Sequence, residues 1–255
     1  MRIMNAAALT AVLLGLASTG AQAQGRFQTA PATRGFLSAN GIYQATASSF
    51  TDRFEFQEFV ETGTIESSFE ARPTIGLDGS AGIRLWRNLG IGAAVTTYAP
   101  NSRADGGGVV SARIPHPLHF NQHREVSGEA GLRRKETAIH GSLLYFVPVR
   151  RSILAVIGAG PTYFQAEQSF VNDIQYAHEY PFDTATFLGA DIDNESASGV
   201  GFNASLDVTW RFSKSFGAGG IVRYTQAKLP FTPGERARKA DVGGVQAGLG
   251  LRVIF

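Results

Sequence analysis

The chain has 255 residues, of which 44% are hydrophobic and only 17% are charged, and it contains 30 Gly, 18 Phe and no Cys. Lys and Arg total 23 and Asp and Glu total 21, and this near-neutral balance argues against a nucleic-acid-binding protein. The apolar fraction is too high for a disordered chain. The absence of Cys excludes disulfide scaffolds, Cys-ligated metal sites and thiol nucleophiles.

The N-terminal segment has the pattern of a secretory signal peptide. Arg2 supplies a positive charge ahead of an apolar stretch at 6–20, and Ala21-Gln22-Ala23 fits the small-x-small cleavage pattern. The apolar stretch is shorter than the ~20 residues that a transmembrane helix needs. We therefore expect export, with residues 1–23 removed as the signal peptide and one domain, 24–255, remaining.

Beyond this segment, apolar residues alternate with small or polar ones at a period of two, which predicts β-strands. The clearest segment is 200–212, where every even position is apolar and every odd position is small or polar. The same test predicts eight strands, at 37–46, 69–86, 89–98, 137–149, 153–166, 200–212, 216–227 and 245–255. Three connections are tight turns, at 86–89, 149–152 and 212–215, and four are long and polar, at 47–66, 99–136, 170–198 and 228–241. This alternation of short and long connections indicates an antiparallel hairpin array with its long loops at one end.

Such an array closes either as a soluble barrel with an apolar interior or as a membrane barrel with an apolar exterior. The polar side of these strands is mostly Gly, Ser, Asn and Thr rather than Lys and Glu, which favours a narrow interior over a solvated surface. Aromatic residues lie at or near strand ends, as in interfacial girdles, although strict alternation puts Trp86 on the polar side. They are Tyr43, Trp86, Tyr98, Tyr145, Phe164, Trp210, Phe212, Phe216, Tyr224 and Phe255. We predict an all-β protein, an eight-stranded antiparallel up-and-down transmembrane β-barrel.

The last strand carries a family resemblance. Leu249, Leu251, Val253 and Phe255 alternate up to a terminal aromatic, which resembles the C-terminal signal of bacterial outer-membrane β-barrels, with Ile254 as a departure. With the leader, the strand count and the loop rhythm, the chain resembles the small OmpA/OmpX/OmpW-like barrel proteins. The resemblance implies a place in the lipid of the cell outer membrane, recognition of the last strand by the barrel-assembly machinery, short periplasmic turns and long extracellular loops. It does not imply one activity.

Alternation also predicts which charged residues face the barrel interior. A charge in this low-dielectric interior has to be paired, because an isolated one costs several kcal/mol. The set is interpreted as a structural plug of ion pairs or, alternatively, as a gate in a narrow pore whose Arg excess favours anions. Asp78 and Arg84 are expected to pair with partners on neighbouring strands. The predicted polar network consists of Glu70, Arg72, Asp78, Arg84, His140, Asp207, Arg211, Arg223 and Arg252.

The long connections contain weak candidates for metal sites. A helical spacing separates His116, His119 and His123, which could place three imidazoles at one metal ion. Pro115 and Pro117 disfavour a helix there, and the alternative to a metal site is three His on an exposed polar loop. A second loop carries oxygen donors without the Gly and distal Glu of an EF-hand, at Asp191, Asp193, Asn194 and Glu195. An aromatic-rich run at 180–187 is expected to pack over the barrel mouth or to meet a partner. We assign no metal and no cofactor.

The sequence contains few patterns that are typical of enzymes. The sequence has no Gly-x-Ser-x-Gly, Gly-x-x-x-x-Gly-Lys or His-Glu-x-x-His motif, and His140 and Ser142 share a face that is expected to point inward. We therefore expect a non-enzymatic protein with a structural or surface-interaction role, in which the long loops contact an extracellular partner. The alternatives are a narrow porin-like channel for small or hydrophobic solutes and a soluble periplasmic ligand-binding barrel.

Overall fold

The computed structural model describes residues 33–45, 50–69, 73–98, 108–233 and 236–255. The signal-peptide segment 1–23 and the predicted interior residues Glu70 and Arg72 lie outside this set. Among the described residues, no helix is long and apolar enough to cross a membrane. The strands are β1 (Gly35–Gln44), β2 (Phe50–Glu58), β3 (Glu61–Phe69), β4 (Thr74–Trp86), β5 (Leu89–Tyr98), β6 (Gly108–Pro115), β7 (His123–Ala130), β8 (Arg134–Arg150), β9 (Ile153–Ala177), β10 (Thr186–Arg211), β11 (Phe216–Phe231) and β12 (Arg238–Ile254).

Eight of these strands close into one antiparallel barrel, which confirms the predicted fold class. Their order around the barrel is β1-β12-β11-β10-β9-β8-β5-β4. The seam between the first and last strands runs from Phe36 opposite Ile254 to Gln44 opposite Gln246. Closure matters because lipid offers no hydrogen-bonding partner to a free strand edge. The three predicted tight turns lie at the same end of the barrel as the two ends of the described chain.

The barrel is apolar outside, and its interior holds buried charged and polar side chains alongside buried apolar clusters. On β4, Leu77 is 68% exposed while the adjacent Asp78 is 3% exposed. On β12, Leu251 is 67% exposed and Arg252 is 1% exposed. A soluble ligand-binding barrel has the opposite polarity, so this arrangement is that of a membrane-spanning barrel.

Two aromatic residues differ from their predicted girdle positions, and Trp86 departs only from strict alternation. The pairing of β4 with β5 shifts register between Arg84 and Trp86, and this irregularity turns Trp86 outward, where it is 63% exposed. Tyr98 and Phe164 were expected in the interfacial girdles, but both side chains are buried inside the barrel. Phe164 lies in a segment that is apolar on both faces, so alternation there does not distinguish inside from outside.

Two barrel strands continue far beyond the membrane-facing surface. The outward-facing apolar residues end at Tyr163 on β9 and at Val200 on β10, and the next outward positions, such as Gln165 and Ser198, are polar. Beyond this level the two strands remain paired until Ala177 lies opposite Thr186. They form a two-stranded projection, called here the β9–β10 extension.

The long connections contain ordered strands where the sequence predicted only polar loops. The first connection contains β2 and β3 and the second contains β6 and β7, which together form a four-stranded sheet in the order β2-β3-β6-β7. One face of this sheet packs on the β9–β10 extension through a core that includes Ile65, Val110 and Ile114 from the sheet and Val171 and Ile174 from β9. Alternation was hard to detect in these short strands, because their buried face also contains Gly, Ser and charged residues.

Candidate functional site

One buried ion pair crosses the interior of the barrel. Arg223 Nη1 on β11 lies 2.6 Å from Asp78 Oδ2 on β4. The Asp78 carboxylate also accepts hydrogen bonds from the two neighbouring strands. Asn40 Nδ2 on β1 donates to Oδ1 at 2.9 Å, and Thr96 Oγ1 on β5 donates to Oδ2 at 2.8 Å. Because β4 and β11 are not adjacent, the ion pair links opposite parts of the barrel wall.

A second buried pair joins the first through an amide. Arg252 Nη2 on β12 lies 2.7 Å from Asp207 Oδ2 on β10. Arg252 Nη1 donates to Asn40 Oδ1 at 2.7 Å, and the same Asn40 side chain donates to Asp78. Asn40 therefore connects the two ion pairs into one network. The sequence analysis did not single out this residue, because an isolated Asn on the polar face of a strand gives no signal.

His140 belongs to the same network and both of its ring nitrogens are engaged. Nε2 lies 3.1 Å from Thr96 Oγ1, which also contacts Asp78 and Arg223. Nδ1 lies 2.9 Å from Thr162 Oγ1. Both ring nitrogens of His140 therefore contact threonine hydroxyls within the network.

The remaining predicted interior arginines lie outside the network. Arg84 is partly exposed and stacks over the Phe146 ring at 4.8 Å from its centroid, and no ion pair of Arg84 occurs within the described residues. The expected pairing of Arg84 with a neighbouring strand therefore stays a prediction. Arg211 lies near the tight-turn end, where it donates to the Arg151 carbonyl and to Thr33.

A small cavity lies beside the network. Its volume is about 40 Å³, and polar groups such as Ser80, His140 and Asp207 line it together with apolar groups such as Phe36 and Leu144. This volume accommodates roughly three water molecules, since each needs about 10–15 Å³. The paired charges and their hydrogen-bond partners therefore fill this part of the lumen.

Three turns meet at the end of the molecule opposite the tight turns. They lie at 59–60 between β2 and β3, at 116–122 between β6 and β7, and at 178–185 between β9 and β10, and we call them together the distal tip. Polar contacts connect every pair of these turns, so the distal tip is one surface. The contacts are Asn121 N to Glu61 Oε1 at 2.5 Å, His116 Nε2 to Asp183 Oδ1 at 3.8 Å, and the Tyr176 hydroxyl to Glu58 Oε1. Burial, followed by the hydrogen bond to Glu58, raises the pKa of the Tyr176 hydroxyl above its usual range.

The three loop histidines help to build the distal tip. His116 is buried, and its Nδ1 accepts the backbone N–H groups of Leu118 and His119 at 3.1 and 3.2 Å. His123 Nε2 at the start of β7 lies 3.2 Å from the Thr62 carbonyl on β3, although β6 lies between these two strands in the sheet. Across the described ranges, no group of three His, Asp or Glu side chains is arranged to hold a metal ion.

The acidic run on β10 is part of a paired strand rather than a loop. Asp193 accepts a hydrogen bond from Asn172 on β9, and Asn194 Oδ1 accepts one from Ser169 Oγ at 2.7 Å. Asp191 and Glu195 lie on the same strand, opposite Asp173 and Gln168 of β9.

Arg236 ties the four-stranded sheet to the connection between β11 and β12. Its guanidinium lies 3.8 Å above the centroid of the Phe54 ring on β2, and it donates to Asn172 Oδ1 on β9 at 3.1 Å. Next to it, Arg238 Nε lies 2.5 Å from the buried Asp52 carboxylate on β2. We call these contacts of Arg236 and Arg238 the clamp. Sequence reasoning missed the clamp because its residues are far apart in the chain and lie in segments that look like ordinary polar loops.

The predicted assembly-signal residues all lie on the outer surface. Leu249, Leu251, Val253 and Phe255 are exposed on the outside of the barrel, whereas Ile254 points inward and is 3% exposed. The strand that carries them pairs with β1 on one side and β11 on the other.

No family model matches the sequence, and no curated protein matches it. Among solved structures, the chain is similar to the outer-membrane protein OprG from Pseudomonas aeruginosa, with 10% identity, a TM-score of 0.49, and coverage of 90% of this chain and 99% of OprG. Neisserial surface protein A gives 15% identity, a TM-score of 0.42 and coverage of 87% and 97%. The outer-membrane protease OmpT from Escherichia coli gives 11% identity, a TM-score of 0.39 and coverage of 89% and 99%.

At these identities and TM-scores the similarities carry no argument about function. The membrane assignment rests on the closed barrel, its apolar exterior and its polar interior. This is the fold of an eight-stranded membrane-spanning β-barrel.

Proposed function

We propose that this protein is a non-enzymatic outer-membrane barrel that holds a rigid β-structure outside the cell for contact with another surface. The observation that carries the proposal is the four-stranded sheet packed on the β9–β10 extension, with a dry core that includes Ile65, Val110 and Val171. Segments that merely connect strands do not need a hydrophobic core of their own. An ordered platform on the loop side is the arrangement expected where loops positioned by a scaffold carry the function.

The filled interior supports an interaction role over a channel. The Asp78–Arg223 and Arg252–Asp207 pairs lie within the lumen, where their side chains occupy space that a solute path would need. We further propose that the barrel-assembly machinery recognises β12, whose outward residues end in Phe255.

Cysteine labelling on intact cells tests the orientation and accessibility of the platform. Because the chain has no Cys, a single Val60→Cys substitution at the distal tip offers one thiol to a membrane-impermeant maleimide. We expect labelling of V60C without permeabilisation. The matched control is Ser213→Cys in the exposed turn between β10 and β11, which we expect to be labelled only after the outer membrane is permeabilised.

Conductance in planar bilayers tests the closed interior. We expect no conductance steps from the purified protein, because its lumen charges are paired across the barrel. Steps that disappear when Arg223 or Arg252 is replaced would establish the narrow-channel alternative instead. Labelling of S213C, but not V60C, on intact cells would overturn the interaction role.

A further inference from the structure

The distal tip exposes apolar side chains on all three of its turns. Val60 is 96% exposed, Tyr180 is 80% exposed and Phe120 is 75% exposed, with Leu118 and Phe59 beside them. Each lies at or near the outermost point of a turn rather than in a groove. A cluster of large exposed apolar groups on an otherwise polar platform marks a contact surface for a protein or a membrane.

The turn between β2 and β3 holds its apolar residues in a disfavoured backbone conformation. Phe59 and Val60 have φ values of 50° and 66°. A two-residue hairpin turn with positive φ at both positions favours Asn-Gly, and a β-branched residue such as Val is rarely found there. Backbone strain of this kind clusters at functional sites. The strained residue is also the most exposed apolar side chain of the distal tip.

The charges around these side chains are negative. Glu179 and Asp183 are exposed, and Glu58 is partly exposed. The segments 58–62, 115–124 and 177–186 contain one Lys or Arg, which is Arg124, and its side chain is buried at 5% exposure. An acidic rim repels anionic lipids and a second copy of the same tip. Aromatic faces and carboxylates together attract quaternary ammonium groups. The exposed rings of Phe120 and Tyr180 supply such faces on the same tip, and Tyr180 directly follows Glu179 in the chain.

The distal tip stands too far from the protein's own membrane to contact it. From Tyr163, where the apolar outer surface of β9 ends, to Ala177, the path along the strand is about 46 Å at about 3.3 Å per residue. The surface that meets the tip therefore belongs to something else. A convex set of apolar anchors with aromatic side chains suits the interfacial region of a bilayer, where Phe, Leu and Tyr insert beneath the headgroups.

We infer that the distal tip docks on the surface of a second bilayer that presents phosphatidylcholine. Val60, Leu118 and Phe120 enter the interfacial region, and the choline groups lie between the aromatic rings and the carboxylates of Glu179 and Asp183. This inference rests on the proposed interaction role, because it requires the distal tip to lie outside the cell.

The test uses the full chain in nanodiscs of phosphatidylethanolamine with some phosphatidylglycerol, at pH 8, where ordinary imidazole is neutral. V60C carries an environment-sensitive fluorophore, and Ser127→Cys on the exposed polar face of β7 is the matched control. On addition of phosphatidylcholine vesicles we expect a blue shift at position 60 and quenching by brominated acyl chains, with neither change at position 127. Empty nanodiscs measure the background.

A second measurement does not depend on the label. In vesicle flotation, we expect Val60→Ser and Phe120→Ser each to weaken binding to phosphatidylcholine about tenfold, since each removes apolar surface from the interface. Equal or stronger binding to phosphatidylglycerol vesicles, or binding that the two variants leave unchanged, overturns the inference. So does the absence of vesicle binding, including the case in which the tip meets only a protein. If V60C is labelled on intact cells but binds no vesicles, the inference fails and the proposed function stands.

Discussion

Removal of Asp78 tests whether the interior ion pairs hold the barrel together. Asp78→Ala leaves the Arg223 guanidinium buried, and among the described residues the Thr96 hydroxyl at 2.8 Å is its remaining hydrogen-bond partner. Breaking a buried pair in this way costs about 3–5 kcal/mol, because the remaining charge is uncompensated. The amide of Asn40 also loses its acceptor at 2.9 Å, which adds about 1 kcal/mol. We expect the free energy of unfolding to fall by about 4–6 kcal/mol.

The assay is urea unfolding of the refolded protein in detergent micelles, followed by heat-modifiable gel migration and by fluorescence of Trp86 and Trp210, which are both exposed on the outer surface. Two variants serve as controls. Asp78→Ala combined with Arg223→Met removes both charges and is expected to recover most of the lost stability, because no uncompensated charge remains. Arg84→Ala on the same strand removes only a cation–π contact with Phe146 and is expected to cost about 1 kcal/mol.

Two results would refute the reasoning. If Asp78→Ala loses no more stability than Arg84→Ala, the ion pair does not support the barrel. If the double variant is less stable than Asp78→Ala alone, the lost stability does not come from an unpaired Arg223.

Three further predictions concern the seam, the clamp and the distal tip. Gly250→Ala should impair barrel closure, because the added Cβ would lie 1.9 Å from the Ala39 carbonyl oxygen. The control Gly79→Ala, whose Cβ would have no atom within 4 Å, should migrate like the wild type on heat-modifiable gels. Equal migration of the two variants would contradict this prediction. Arg236→Ala should weaken the packing of the four-stranded sheet on the rest of the molecule by about 2 kcal/mol. Hydrogen exchange should then become faster in β2 and β3 but not in the barrel strands. Unchanged exchange in the sheet would show that Arg236 does not hold it in place. Val60→Gly should stabilise the β2–β3 hairpin by about 1 kcal/mol, seen as slower local exchange, and faster exchange would show that the turn is not strained.

The barrel was predictable because the bilayer imposes a simple rule on each strand. Along 200–212 every second residue faces lipid, so the period of two follows directly from the position of each side chain relative to the membrane. The same rule places Asp78, His140, Asp207, Arg223 and Arg252 inside. It fails at Trp86, where a register irregularity in the pairing of β4 with β5 turns the side chain outward.

The platform outside the membrane was not predictable in this way. Its strands are short, and burial there depends on a partner far away in the chain, such as Val171 of β9 against Ile65 of β3. The loop histidines are a similar case. Their spacing raised the question of metal binding, whereas His116 accepts backbone N–H groups of its own turn and faces Asp183 of another.

The sequence by itself therefore determined the number of barrel strands and the side of each strand that meets lipid, and it predicts an export signal. These depend only on local patterns, because each residue of a membrane strand faces either lipid or the lumen. Tertiary structure decided which charges pair, how Asn40 joins the two ion pairs, and how three distant turns come together to expose Val60, Phe120 and Tyr180 on one surface. Those features depend on contacts between residues widely separated in the chain, and no local pattern specifies them.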